Sequence, residues 1–222
     1  MLSHKKTAPL KKLLNKGKNF RLKPGRRHEA GTVEKFYLAA MKEYLEIFDE
    51  HNQPTNQQLL RREVHASGHW HRTAQVYVFN YRNELLCNLR SPAKDLFPML
   101  WDVSIGGHLA PGESYKACAL RELGEELGLK PEPENLEFIT TTKIDGQDKV
   151  AQLLDREHAG IFLYRTNLEL ADFNFQKEEI VKLQYLPLNK VKASLRAAAP
   201  EIQFIPLQQH YLSNLALIEQ HL

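Results

Sequence analysis

The stretch GGHLAPGESYKACALRELGEELGL, Gly106 to Leu129, decides how the whole chain is read. Its second half predicts a helix from about Ser114 to Leu127: Leu120, Leu123 and Leu127 recur at helical spacing, and Gly128 suits the left-handed residue that often ends a helix. Successive helical residues turn by about 100°, so Glu122, Glu125 and Glu126 gather on a side away from those leucines. Like charges so placed repel by a few tenths of a kcal/mol per pair, roughly 0.2–0.5. A solvated face is the ordinary account of such a cluster. The alternative is a divalent cation, which removes the repulsion and leaves coordination sites for water and phosphate oxygens. Arg121, four residues before Glu125, can hydrogen-bond the carboxylates and orient them. Gly107 lets the preceding loop bend close to the helix, and Glu113 places an anion where the helix dipole favours one.

Working outward, Gln75–Phe79 (QVYVF) and Glu84–Leu89 (ELLCNL), separated by the turn-rich NYRN, predict a hairpin. Trp101–Ile105 (WDVSI) reads as a short strand. Further strands are expected at Leu136–Ile144, Ala159–Tyr164 and Leu183–Leu188, and helices at Asn189–Ala199 and Leu207–Leu222. On the N-terminal side, Val33, Phe36, Tyr37, Ala40, Tyr44, Leu45 and Phe48 follow helical spacing behind Thr32 as cap, predicting a helix that ends near Asp49–Pro54. Strands and helices interleave without strict alternation, so the fold class expected is α/β, a mixed sheet between helices. The domain organisation expected is a basic, flexible tail over 1–31, a helix and linker over 32–54, a catalytic domain over 55–200, and a C-terminal helix over 201–222 packed on it.

With 222 residues and 42% hydrophobic content, the chain can bury a substantial core. It has no apolar run of membrane-spanning length and no secretory-type apolar segment at its start, so a soluble cytoplasmic protein is expected. Cys87 and Cys118 lack paired metal-ligand spacing and read as free, buried thiols that pack as small hydrophobes. The formal net charge of +3 hides an uneven distribution: residues 1–31 carry ten Lys or Arg against Glu29 alone, leaving −6 for the rest. A solvated basic tail is the plain reading of that segment, and weak contact with nucleic acid or another polyanion is the functional one.

Gly107, Glu113, Arg121, Glu122, Leu123, Glu125, Glu126, Gly128 and Leu129 together reproduce the signature box of Nudix hydrolases, which this chain resembles over roughly residues 43–200. The resemblance implies an α/β/α sandwich, Mg²⁺ as cofactor with Mn²⁺ as substitute, and hydrolysis of a nucleoside diphosphate linked to another group. It implies Glu122, Glu125 and Glu126 as metal ligands and catalytic residues, with Arg121 beside them. It also implies Glu179, in QKEEIVKLQYLP, as a catalytic acid, set against the bland reading of an exposed loop glutamate. A homodimer is the family expectation, with the 33–48 helix offering contact surface.

Within that superfamily, REVHASGHWHRTAQVYVFN and LRSPAKDLFPMLWDVSIGGH are similar to the branch that includes type 1 isopentenyl-diphosphate isomerase. By that likeness His71 and His108, with Asp155 and Glu157, stand where the isomerase binds a metal; His71, Gly107 and His108 are candidates for the substrate pocket, and His69 is a weaker one. The isomerase carries a catalytic cysteine directly before the glycine of its GH pair, where this chain has Gly106, so hydrolysis is expected over isomerisation. Met99 is a smaller departure, since relatives commonly show glycine there. Trp70, Phe97, Trp101 and Tyr115 are candidates for stacking on a base, each equally suited to core or rim.

Overall fold

The computed structural model describes residues 43–222. The basic segment 1–31 and most of the helix expected behind Thr32 lie outside the described residues. Tyr44–Phe48, the end of that expected helix, is instead strand β1, paired antiparallel with β2 (Pro54–Leu60). Five residues with apolar positions at 44, 45, 47 and 48 satisfy either period, and the cross-strand partner decides the outcome. The hairpin leads into a short helix α1 (Arg61–Ser67), closed by Gly68 in the left-handed conformation; neither β2 nor α1 was expected from the sequence.

The main sheet follows. Strand β3 (His71–Asn80) turns into β4 (Glu84–Arg90), as the hairpin reading required. The segment expected as one strand at 101–105 is two: β5 (Trp101–Asp102) pairs with β4, and β6 (Ile105–His108) has crossed over to pair with β3. Helix α2 (Tyr115–Leu127) comes next, then β7 (Leu136–Asp148), β8 (Leu153–Thr166) and β9 (Ile180–Pro187), all three longer than or offset from their sequence-based limits. Helices α3 (Leu188–Arg196) and α4 (Gln208–Ile218) close the chain. The sheet is mixed, with β3 and β8 parallel and its other pairs antiparallel.

Alternation along β3 builds two cores. Ala74, Val76 and Val78 face Cys118, Ala119, Leu123 and Leu127 of α2, while Tyr77 and Phe79 face Val191 of α3 and Tyr211, Leu215 and Ile218 of α4. The result is the expected α/β/α sandwich, and each cysteine fills one of its layers as a free buried thiol. Burial of Leu123 and Leu127 contributes roughly 1.5–3 kcal/mol each, which outweighs the tenths lost to repulsion among the glutamates on the other side of α2.

The sheet also parts. β4 pairs with β3 at Phe79↔Leu85, after which the outer half of β4 is held by β5 and β9, while the start of β3 is held by β6 and β8. Arg90 at the end of β4, His108 at the end of β6, His71 at the start of β3 and Asp155 and Glu157 early in β8 all fall at this divided end.

Candidate functional site

Helix α2 is set in place by local chemistry. Ser114 caps it by accepting from the Ala117 amide at 3.2 Å, and Gly128 ends it with φ 70°. Arg121 then ties the surroundings together. Its Nε and Nη2 donate to the two oxygens of Glu113, each at 2.9 Å, its Nη1 donates to Glu122 at 2.7 Å and Glu125 at 3.0 Å, and its Nη2 also reaches the His108 carbonyl at 2.9 Å. Glu113 in turn accepts from the Ala110 amide at 2.9 Å. Arg121 thus hydrogen-bonds three carboxylates, those of Glu113, Glu122 and Glu125. Gly107 is packed as the sequence suggested: a Cβ there would stand 2.3 Å from Glu122 Oε1.

The three glutamates are not equivalent. Glu122 and Glu126 are buried, whereas Glu125 is exposed. Burial pushes the Glu126 carboxyl up to about 8, with Glu122 and Glu179 reinforcing the rise and Lys94 and Arg90 opposing it. Glu122 is also raised by burial, against the opposing charge of Arg121. A buried carboxyl held near neutrality is costly as an anion until a cation joins it, and oxygen donors of this kind fit Mg²⁺ or Mn²⁺. Glu179, half-buried, is paired with Lys94, and its charge adds to the rise of Glu126.

A second centre lies at the divided end of the sheet. Among the described residues, the groups whose ligand atoms all lie within 4.8 Å of one another are His65, His71 and His108, and His71, Asp155 and Glu157. Glu122, Glu125 and Glu126 do not form such a group, Glu122 and Glu125 being held by Arg121. His71 Nδ1 lies 3.0 Å from the His69 carbonyl, which can only accept; the hydrogen is therefore on Nδ1 and the Nε2 lone pair points inward, buried and without a hydrogen-bond partner. His108 Nδ1 lies 3.3 Å from Glu43 of the segment before β1, leaving its Nε2 to face His65 Nε2 at 3.3 Å.

Asp155 Oδ1 is likewise buried and unpartnered, 4.0 Å from His65, while Glu157 accepts from Thr73 at 2.8 Å. Burial lowers His71 and His108 to about 4 and drives His65 lower still, so all three imidazoles are neutral. Burial also raises Asp155 and Glu157, the latter further because of Asp155. Glu43, which burial alone would raise, is instead brought well below the carboxylate range by His108 and Arg61. Inward lone pairs, orphaned acceptors and buried acids are the environment a transition-metal cation satisfies.

The structure thus brings together His71, His108, Asp155 and Glu157, four residues from three strands that the sequence had marked. It adds His65, Glu43, Arg61 and Lys94, which the sequence reading missed; a third histidine six positions before His71 was the signal available for the first of these. His69 contributes its carbonyl rather than its ring. Of the aromatic candidates, Phe97 is buried and Trp101 packs against the α3–α4 core. Tyr115 donates to the His158 carbonyl at 3.1 Å, and Trp70 stacks on the His158 ring at 4.9 Å.

The NUDIX domain family matches residues 69–208. An uncharacterized Nudix hydrolase of Clostridium acetobutylicum is 33% identical over 153 residues, covering 68% of this chain and 72% of its own length. An isopentenyl-diphosphate Delta-isomerase of Pectobacterium atrosepticum is 38% identical over 84 residues, covering 38% of this chain and 46% of its own. A crystal structure of a Deinococcus radiodurans protein superposes with a TM-score of 0.61 at 22% identity, covering 77% of this chain and 98% of that one, a likeness of fold.

Proposed function

The chain belongs to the Nudix hydrolase family, and from that membership we propose that it cleaves the diphosphate linkage of an organic diphosphate, such as a nucleoside diphosphate joined to another group, with Mg²⁺ or Mn²⁺ bound. The observation that carries this reading is Glu126, a buried helical carboxyl raised by burial, with the charges of Glu122 and Glu179 adding to the rise. A divalent cation supplies neutralisation of phosphate oxygens and acidification of a bound water. Glu122 and Glu126 offer it oxygen donors, and Gly107, lacking a side chain, leaves the Glu122 carboxylate room to turn. Arg121 fixes the orientation of Glu122 and Glu125 from outside. Lys94 and Arg90 place positive charge next to the acids, where phosphate oxygens would lie. Glu179 is the proposed proton acceptor, and it is paired with Lys94, whose charge also acts on Glu126. The His65, His71, His108, Asp155 and Glu157 group is the proposed second cation centre.

That second centre also favours an isomerase reading, in line with the name of the Pectobacterium relative. Gly106 speaks against it: a Cβ there would stand 1.9 Å from the Ala74 carbonyl oxygen, so this backbone admits no side chain where the isomerase has its cysteine. The deciding experiment is a panel of nucleotide-linked and isoprenoid diphosphates incubated with Mg²⁺ and with Mn²⁺. The expected outcome is metal-dependent release of a monophosphate product from at least one of them. Exchange of solvent deuterium into isopentenyl diphosphate without hydrolysis would replace this reading with the isomerase one, and no turnover of any compound would leave a binding module.

A further inference from the structure

The connection between β4 and β5, residues 91–100, leaves and returns at one point, because the Arg90 amide donates to the Leu100 carbonyl at 3.0 Å. Its tip is set away from that neck. Leu96 and Phe97 are buried in the α3–α4 core, and the Phe97 amide donates to Asp148 Oδ2 at 2.9 Å. Loops of this shape, closed at the neck and packed by their own side chains, often carry function. Phe97 and Met99, on either side of Pro98, hold φ 48° and 61°. Side chains are strained in that left-handed region, so the loop needs an outside anchor to keep this form.

Asp148 is the anchor, and it serves two segments at once. At the end of β7 its Oδ1 accepts from the Val150 and Ala151 amides, each at 2.9 Å, which shapes the turn into β8. That leaves Oδ2 for Phe97. Burial would raise the Asp148 carboxyl, but the Ala151, Phe97 and Val150 amides hold it below the usual carboxylate range, so it is an anion at neutral pH. The same hairpin sets Gly146 of β7 opposite Asp155 of β8, so the loop tip is tied to the strand pair that carries an acid of the second centre.

The neck of the loop is tied to the carboxylate helix instead. The Gln176 amide donates to the Glu126 carbonyl at 2.8 Å, the Glu179 amide to the Gln176 carbonyl at 3.0 Å, and the Ser91 amide to the Glu179 carbonyl at 2.8 Å. Lys94, its side chain 16% exposed, adds an ion pair with the Glu179 carboxylate. β4 lies on one side of the parting in the sheet, and β3, β8 and β7 lie on the other. A loop fastened on both sides spans the end where the two centres fall.

We propose that Asp148 is a positioning residue: by latching the tip of the 91–100 loop to the β7–β8 turn, it closes the loop over the divided end of the sheet, where the loop covers the bound diphosphate and keeps Lys94 on Glu179. The inference deepens the hydrolase reading and rests on it for the identity of the compound covered.

Acetic anhydride labelling of lysines in the full chain, read by mass spectrometry, reports the latch without substrate. In the wild type Lys94 should react more slowly than the exposed Lys116. Asp148→Asn keeps a carbonyl oxygen for the turn amides but sets its own N–H donors against the Phe97 N–H. It should speed Lys94 labelling roughly ten-fold or more, the scale of one lost hydrogen bond to a charged group, with Lys116 unchanged. With whichever diphosphate the wild type cleaves fastest, KM should rise roughly three-fold or more while kcat changes less, because bound substrate draws the loop shut again. If Asp148→Asn does not fold, Asp148→Ser, whose hydroxyl still accepts from the turn, carries the same expectations.

Lys94 labelling that stays at the wild-type rate overturns the proposal, as does a rise shared equally by Lys116, which would make Asp148 a general support of the fold. A released Lys94 with an unchanged KM overturns it too. Should Asp148→Asn free Lys94 while the wild type hydrolyses no diphosphate of the panel, the latch stands and the proposed reaction falls.

Discussion

Glu126 meets two demands that oppose each other. The packing of α2 buries it, and burial favours the neutral acid, whereas the proposed chemistry needs an anion against a cation. With its carboxyl pushed up to about 8, the metal-free protein at pH 7 carries Glu126 mostly protonated. Glu126→Gln should therefore leave the melting temperature of the metal-free protein unchanged to within about a degree or two, while turnover falls by roughly 10²–10⁴-fold. Thermal melts and single-turnover kinetics on one preparation check both halves, and a large loss of stability would mark Glu126 as a structural group instead. Gly107→Ala makes a complementary test. Its new Cβ meets the Glu122 carboxylate at 2.3 Å, so the flexible acid moves rather than the backbone and its bond to Arg121 is disturbed. The expected outcome is a loss of kcat/KM of roughly ten-fold or more with the circular dichroism of the helices preserved.

At the scale of elements, legibility followed how local the decision was. The limits of α2 could be read to within a residue because Ser114, the leucine spacing and Gly128 all act within the segment itself. β1 could not, since its five residues fit both periods and the tie is broken by β2, whose PTNQQLL shows no apolar alternation of its own. His65 was hidden for a related reason: it reaches the histidine group only because α1, ended by Gly68, packs against β8, which brings its ring to 5.0 Å from that of His71. The loop between β4 and β5 shows a local rule kept against its residue. Met99 holds φ 61° with its side chain exposed, a conformation where glycine is at ease and methionine is strained. Met99→Gly should raise stability by up to about 1 kcal/mol, the relief being partly offset by the freer unfolded chain. Met99→Ala should not, because it retains the strain. Paired denaturant melts separate the two, and equal behaviour would remove backbone conformation as the cause.

For the molecule as a whole, the division of the sheet is what allows two acidic centres of different chemistry. One is built on a helix from carboxylates and draws on Lys94 and Glu179; the other is built from imidazoles and acids carried by α1, β3, β6 and β8. The residues of the second come from segments far apart in the chain, so the sequence could mark His71, His108, Asp155 and Glu157 only through a family likeness, and topology had to bring them within reach of each other. Their donor sets differ in kind, oxygen in the first and mixed nitrogen and oxygen in the second, so the two should differ in metal preference. Titration of the full chain with Mn²⁺, followed by electron paramagnetic resonance of the free ion, should accordingly resolve two classes of site. Glu126→Gln should remove or weaken one class and His71→Ala the other, with the imidazole class taking up Zn²⁺ in preference to Mg²⁺ and the carboxylate class open to Mg²⁺. Loss of the same class in both variants would mean that the two groups serve one shared ion, and the parting of β3 from β4 would then separate residues without separating functions.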